Sequence, residues 1–468
     1  FTISLVVARA LGFVELVILA RCLSRRELGE YAICFTLALM LRAFSALGIA
    51  AATVRESART SHRATDFILA GIPLRAAVSL VAMCVGFGIV ALLPWRPELR
   101  RAGILFSVIS VPLALTGLNE YLLAFQQRAR IAATCLIVST VVRVVLVSAV
   151  LLLGFRVFAV GLCILVTTTA LWLTTTYFIL KEVRRPWPRP SLATCLRILA
   201  VGWPIGLVAI LSVFYHRLDV VMVSAFSGNA EVALYSAAFS LLNILAVLQQ
   251  PISKAALPFL TSEHARDPSS LAGAHHTAIK VFACAGFPLA VLGVLLSPVA
   301  FDLIYGAKYW ASILIAQVLL VSLPFRYMWN FTQTLFTASG KQNFNPIPMA
   351  TGAVVNWGLN LLFIPRYGAL GAAVSVVASY GAMLCVAGYL TETRLHRMRW
   401  LDILWKPLAA SAVMAGGGML FRGYGAIVQT AVALVSGGGM FFLLRPFTRS
   451  ELNLFRKALG LKRPAEDP

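Results

Sequence analysis

Apolar residues run along this chain in about fourteen blocks, each near the roughly 20 residues that a helix needs to cross a bilayer, with most of the charged residues in the stretches between them. The blocks predict spans at about 1–23, 31–53, 67–93, 102–124, 131–153, 157–180, 198–225, 233–258, 277–300, 311–337, 346–364, 370–391, 403–421 and 426–445. No connecting stretch exceeds about 20 residues, the length of one span. That leaves no room for an extramembrane catalytic domain. The pattern predicts an all-α, polytopic membrane protein whose work is done among the helices or at their ends, with both chain ends on one side because the spans are even in number.

The longest polar stretch, Lys181 to Arg197, contains the stiff run Arg185-Pro186-Trp187-Pro188-Arg189-Pro190 and reads as a linker. The expected layout is a first lobe of six spans at 1–180, the linker at 181–197 and a second lobe of six spans at 198–391. A loop at 392–402, two further spans at 403–445 and a basic tail at 446–468 complete it. The two halves echo each other: Glu27, Tyr31, Phe35 and Leu37 recur as Glu231, Tyr235, Phe239 and Leu241, each 204 residues later, and Glu15 falls on Asp219 at the same offset. Val141-Val142-Arg143 aligns more loosely with Val354-Val355-Asn356. Six spans per half predict parallel repeats related by a pseudo-twofold axis along the membrane normal, with a substrate site at their junction.

Composition agrees: 60% of the 468 residues are hydrophobic, 12% are charged and the mean hydropathy is +0.85, so the solvent of this chain is lipid. A net charge of +22 in a soluble protein would point to nucleic acid. Here the basic residues gather in alternate loops (Arg55, Arg59 and Arg63; Arg128 and Arg130; Lys181 to Arg197; Arg394, Arg397 and Arg399) and in the tail, which is how membrane orientation is written. That side, with both termini, is expected in the cytoplasm of a bacterial inner membrane, and no nucleic-acid partner is expected. Eight scattered cysteines without a CxxC give neither a disulfide framework nor a metal site. Phe1 opens inside an apolar run, so a native leader is expected ahead of it, and no cleavable signal peptide is predicted.

The chemistry lies in the charges that interrupt the spans. Arg42, Arg143 and Arg326 fall near the middles of theirs, too deep for snorkelling, and Arg9 is similar in the first span. A guanidinium stays charged and presents a planar fork of donors that matches phosphate, so several facing one cavity make a site for an anionic head group. The plainer alternative is that each pairs with a carboxylate and ties helices together. Glu15 and Asp219 are the acids inside the spans, and Asp219 shares its helix face with Tyr215 and His216, beside Arg217. That set would bind a coupling H⁺ or Na⁺, or form inter-helix pairs. No catalytic residue, metal site or other cofactor is expected. Arg75, Glu120, Lys254 and Lys280 lie towards predicted cytoplasmic ends and read as snorkelling side chains. Gly416-Gly417-Gly418 and Gly437-Gly438-Gly439 lack the Lys-Ser/Thr of a phosphate loop and predict close packing of the last two spans.

Ala20-Arg21-Cys22-Leu23, Glu27-Leu28-Gly29-Glu30-Tyr31-Ala32, Ala46-Leu47-Gly48 and Val54-Arg55 stand in order near the start of the chain. Gly202-Trp203-Pro204, Arg217-Leu218-Asp219, Glu231 to Ser236 and Ile364 to Ala373 follow. In these motifs the chain resembles the polysaccharide flippases of the multidrug/oligosaccharidyl-lipid/polysaccharide exporter superfamily, over about residues 1–395. The resemblance implies two six-helix lobes around a cationic cavity and alternating access. It implies a substrate of undecaprenyl diphosphate carrying a short oligosaccharide, turned from the cytoplasmic to the periplasmic leaflet for O-antigen, capsule or exopolysaccharide synthesis. Membrane lipids and a glycan polymerase or glycosyltransferases would be its partners. Arg9 to Phe13 is also similar to the opening helix of the peptidoglycan-precursor (lipid II) flippases, whose pattern has an arginine where this chain has Glu15. The last two spans resemble the extra pair that in some relatives forms a groove for the lipid tail.

Three other readings compete. A multidrug or cation exporter of the same superfamily calls for an apolar or acidic cavity, and the central arginines count against it. A membrane glycan polymerase or ligase calls for a large periplasmic loop with catalytic groups, which the chain lacks, so no enzyme is expected. The third is a non-transporting assembly partner of a glycan synthase.

Overall fold

A computed structural model describes residues 2–60, 64–182, 191–266, 270–448 and Glu451. The described elements are helical: α1 (Thr2–Cys22), α2 (Arg25–Ala46), α3 (Ile49–Arg59), α4 (Ala64–Leu92), α5 (Pro97–Phe125), α6 (Ala129–Leu152), α7 (Val157–Glu182) and α8 (Leu192–Ser227), then α9 (Asn229–Val247), α10 (Gln249–Arg266), α11 (Ser270–Ile304), α12 (Ala311–Val321), α13 (Leu323–Ala338), α14 (Pro346–Arg394), α15 (Trp400–Leu420) and α16 (Ala426–Leu444). Among the described residues eleven helices are long and apolar enough to cross a membrane, and twelve with the bent pair α12–α13. Adding α1, 21 residues long, and counting α14 as the two predicted spans it joins is consistent with about fourteen.

The helix ends follow local chemistry. Ser24 caps α2 and Glu27 returns the bond to the Ser24 amide, a capping box that starts the helix six residues before the hydropathy does. Five predicted spans turn out interrupted or joined. The second is broken into α2 and α3, because Leu47 and Gly48 both take left-handed backbone, φ 36° and 66°. The eighth divides into α9 and α10 around Leu248, and the tenth bends by 41° at Ser322, ahead of Pro324. The eleventh and twelfth run together as α14, with Gly368 (φ 57°, ψ −135°) as the break between them.

The chain forms two compact units, Phe1–Ala233 and Leu234–Pro468. In the first, α5 packs on α2, α4 and α7, α1 packs on α6, and α8 lies on α2, α3 and α4. In the second, α11 packs on α12, α13 and α15, α15 on α16, and α14 on α12 and α13. The Pro-rich run at 185–190, and the tail apart from Pro446–Thr448 and Glu451, lie outside the described residues. The sequence echo has a physical form: Tyr31 stacks on Phe35 at 5.8 Å in α2, and Tyr235 stacks on Phe239 at 5.6 Å in α9.

Glycine decides one contact in the first unit. A Cβ built on Gly48 would lie 2.0 Å from the Gly202 carbonyl oxygen, and one on Gly206 would lie 2.3 Å from the Leu47 carbonyl carbon. The break after α2 therefore seats directly on α8 beside Pro204. Gly48→Val adds left-handed strain to that clash and is expected to destabilise the unit by more than about 2 kcal/mol. A thermal unfolding midpoint in detergent equal to that of the parent would contradict this seating.

The final pair also packs as its glycines suggest: a Cβ on Gly417 would meet Ser436 at 2.5 Å, and one on Gly437 would meet Met414 at 2.8 Å. Gly416, Gly438 and Gly439 face open space instead.

Candidate functional site

In the first unit α1 and α6 bring Glu15 and Arg143 together. Arg143 Nε donates to Glu15 Oε2 at 2.9 Å, with 5% of the Glu15 side chain and 24% of the Arg143 side chain exposed. The carboxylate is thus committed to one partner, while the guanidinium keeps an open edge. Tyr31, buried against Phe35 and Phe106, lies in the electrostatic reach of this pair and of Arg217. Arg42, on α2, is half-buried and lies along Gly117 of α5, where a Cβ would come within 3.1 Å of its Nη2. Its electrostatic neighbours are Arg75 and Glu120.

Arg75 is not a snorkelling residue. It is 4% exposed, and it donates to the Ser45 carbonyl and, at 3.4 Å, to the Ala114 carbonyl. Helix α4 starts at Ala64, which puts Arg75 about 16 Å along the axis, beyond easy reach of the near surface. Asp219 and Tyr215 of α8 are buried, and the His216 ring nitrogen Nδ1 bonds the Ser212 carbonyl at 2.8 Å, one turn back. Arg9 falls on α1, and its side chain lies outside the described residues, as does that of Lys254.

In the second unit α13 carries Arg326, and its named partners are uncharged. Nη1 donates to Asn243 Oδ1 at 3.1 Å, and the guanidinium carbon stands 5.7 Å from the centre of the Tyr380 ring. Aromatic and amide partners orient a cation without neutralising it. Behind it, Gln249 donates to the Tyr327 carbonyl at 3.0 Å and accepts from Asn330 at 3.1 Å, so a buried amide network fixes α13 against α10. Sequence reasoning missed this network, and it missed Asn360 bonding Asn356 at 2.9 Å inside α14. The one signal available for the latter was the loose alignment of Asn356 with Arg143.

A groove of about 670 Å³ runs along α11, α15 and α16 in the second unit, walled by Cys284, Pro288, Leu292, Met414, Leu434 and Phe441 and carrying Arg445 at one end. Near the same end of α11, Lys280 bonds Glu451 at 3.0 Å. Burial raises the Glu451 carboxyl, but bonds from Thr448 and Lys280 outweigh it and hold the group below the usual carboxylate range. His275 and His396 meet at 3.0 Å. Burial, reinforced by His276, lowers the His396 pKa. A lowered histidine pKa stabilises above the unfolded value, near 6.5, and the contribution is lost as pH falls through the folded value. The unfolding midpoint in detergent is expected to drop between pH 7.5 and 5.5, and to drop less in His396→Asn; equal drops in both proteins would contradict it.

Among the described residues no group of three or more His, Cys, Asp or Glu side chains is arranged to hold a metal. The first unit thus holds the mid-span guanidinium groups of Arg42 and Arg143 against named partners, and the second holds that of Arg326 and, separately, an apolar groove.

A family model described as polysaccharide biosynthesis protein matches residues 1–264, more than half of the chain. The chain belongs to this family. A second model, MatE, matches residues 204–363, and together they place the chain in the multidrug/oligosaccharidyl-lipid/polysaccharide exporter superfamily. Among solved structures the lipid II flippase MurJ in an inward closed conformation is similar at a TM-score of 0.80 with 16% identity, over 95% of this chain and 98% of that one. An inward-facing multidrug resistance transporter of the MATE family is similar at 0.68 with 17% identity, over 83% and 94%. A transporter of the same superfamily from Pyrococcus furiosus is similar at 0.62 with 16% identity, over 84% and 94%. These identities speak for the fold. An uncharacterized membrane protein of Bacillus subtilis, YabM, is 32% identical over 156 residues, and the match spans 29% of this chain and 29% of that protein's length. The chain is a multi-pass membrane protein with the flippase and transporter fold of this superfamily.

Proposed function

We propose that this protein is a flippase that moves undecaprenyl-diphosphate-linked oligosaccharide from the cytoplasmic to the periplasmic leaflet of a bacterial inner membrane by alternating access. The product would feed synthesis of a surface polysaccharide, whether O-antigen, capsule or exopolysaccharide. One observation carries the reading: Arg326 stands in mid-span with Asn243 and Tyr380 as its partners, a fixed cation whose charge is left to a ligand. Arg42 supports it, half-buried against Gly117. Arg143 would join once an incoming phosphate competes with Glu15 for its fork. Arg9 completes the proposed set, and the apolar groove of the second unit would take part of the polyprenyl tail.

Purified protein is expected to bind undecaprenyl diphosphate at least tenfold more tightly than undecaprenol in native mass spectrometry, because the phosphates are what the arginines meet. Equal binding of the two would overturn the reading. Both chain ends are placed in the cytoplasm on this account, where a glycosyltransferase or polymerase would hand over the lipid.

Coupling to H⁺ or Na⁺ is assigned to Asp219, buried on α8 near His216. Asp219→Asn is expected to leave substrate binding intact and remove the dependence of transport on an ion gradient. Full transport that still follows the gradient would remove Asp219 from that role.

A further inference from the structure

Helix α2 ends inside the bilayer-spanning bundle at Leu47–Gly48, and a helix end leaves its last carbonyls without amide partners. In hydrocarbon no water replaces them. Arg75 answers this need from α4. Its guanidinium, 4% exposed, donates to the carbonyl of Ser45 in the last turn of α2 and to the carbonyl of Ala114 in α5. Those two acceptors flank Arg42. Ser45 follows it by three residues on α2, and Ala114 precedes by three residues Gly117, the residue against which the Arg42 guanidinium lies.

Arg75 therefore bonds both walls of the slot that holds Arg42. It is itself too buried to offer donors to a passing head group. The two guanidinium groups repel one another electrostatically, so the slot must be held rigidly, and Glu120 supplies a partial counter-charge to Arg42. We infer that Arg75 is a positioning residue: it clamps the broken end of α2 to α5 and so fixes the direction in which Arg42 presents its fork to an anionic lipid head group. This rests on the role given to Arg42 above.

The test is a double-mutant cycle on undecaprenyl diphosphate binding to the purified full chain, with hydrogen–deuterium exchange at residues 45–49 read in parallel. Arg75→Gln is expected to weaken binding about tenfold in the parent and less than about twofold in an Arg42→Gln background, while speeding exchange at 45–49 in both. Should Arg75→Gln fail to fold, Arg75→Lys, which keeps the charge and loses the fork, enters the same cycle. An equal loss of affinity in both backgrounds would overturn the positioning role. If Arg42→Gln alone leaves affinity unchanged, the diphosphate reading of Arg42 fails instead, and exchange then decides the clamp: faster exchange supports it and unchanged exchange overturns it.

Discussion

Replacing Arg42, Arg143 and Arg326 together by alanine is expected to abolish export of the surface glycan, measured per molecule of protein in the membrane. Each guanidinium in contact with phosphate contributes roughly 1.5–3 kcal/mol through charged hydrogen bonds. Losing three exceeds a factor of about a hundred even if they act with poor additivity. Stability should suffer less than function at two of the sites, since Arg42 and Arg326 leave no carboxylate in ion-pair contact behind among the described residues. The matching lysine triple variant keeps the charges and loses the forks, and it should retain an intermediate rate. Quantitative immunodetection of cell-surface polysaccharide reads the result. Parent-level export from the alanine triple variant would refute the anionic site.

The second large effect concerns the Glu15–Arg143 pair, and it is asymmetric. Glu15 is the more buried partner, 5% exposed against 24%, so Arg143→Ala strands a carboxylate in a dry place. Stranding one partner of a buried pair costs about 3–5 kcal/mol, whereas removing both is often close to neutral. The arginine keeps an exposed edge, so Glu15→Gln should cost about 1 kcal/mol. Arg143→Ala is therefore expected to lower the unfolding midpoint far more than Glu15→Gln, and the double variant Glu15→Gln/Arg143→Ala should recover most of the loss. Glu15→Gln should also bind undecaprenyl diphosphate more tightly, because the phosphate no longer competes with an internal acid. Equal destabilisation by the two single variants would contradict the burial difference.

Much of this was legible before any coordinates. Hydropathy alone located the apolar core of most spans, with ends that miss by up to about eight residues, because lipid sets the length that must be apolar and not where the helix stops. It did not see the breaks. Leu47–Gly48 and Ser322 leave the apolar run uninterrupted, and what breaks the helix is a left-handed backbone in one case and the approach to Pro324 in the other. Depth along a span was readable for Arg42, Arg143 and Arg326, but lateral neighbours were not. Glu15 and Arg143 are 128 residues apart, and nothing in either apolar run says that α1 lies on α6. Arg75 was misjudged for a simpler reason: α4 begins three residues earlier than its hydropathy suggests, which sinks the side chain to a depth where backbone carbonyls of α2 and α5 receive it.

Leaflet transfer in proteoliposomes tests the central claim most directly, with three passengers offered to the same protein: an undecaprenyl-diphosphate-linked oligosaccharide, an uncharged glycolipid and a cationic drug. The account predicts transfer of the diphosphate lipid alone, and its loss in the Arg42, Arg143 and Arg326 to Ala triple variant. Transfer of the drug or of the uncharged glycolipid at a comparable rate, or undiminished transfer of the diphosphate lipid by the triple variant, would contradict it.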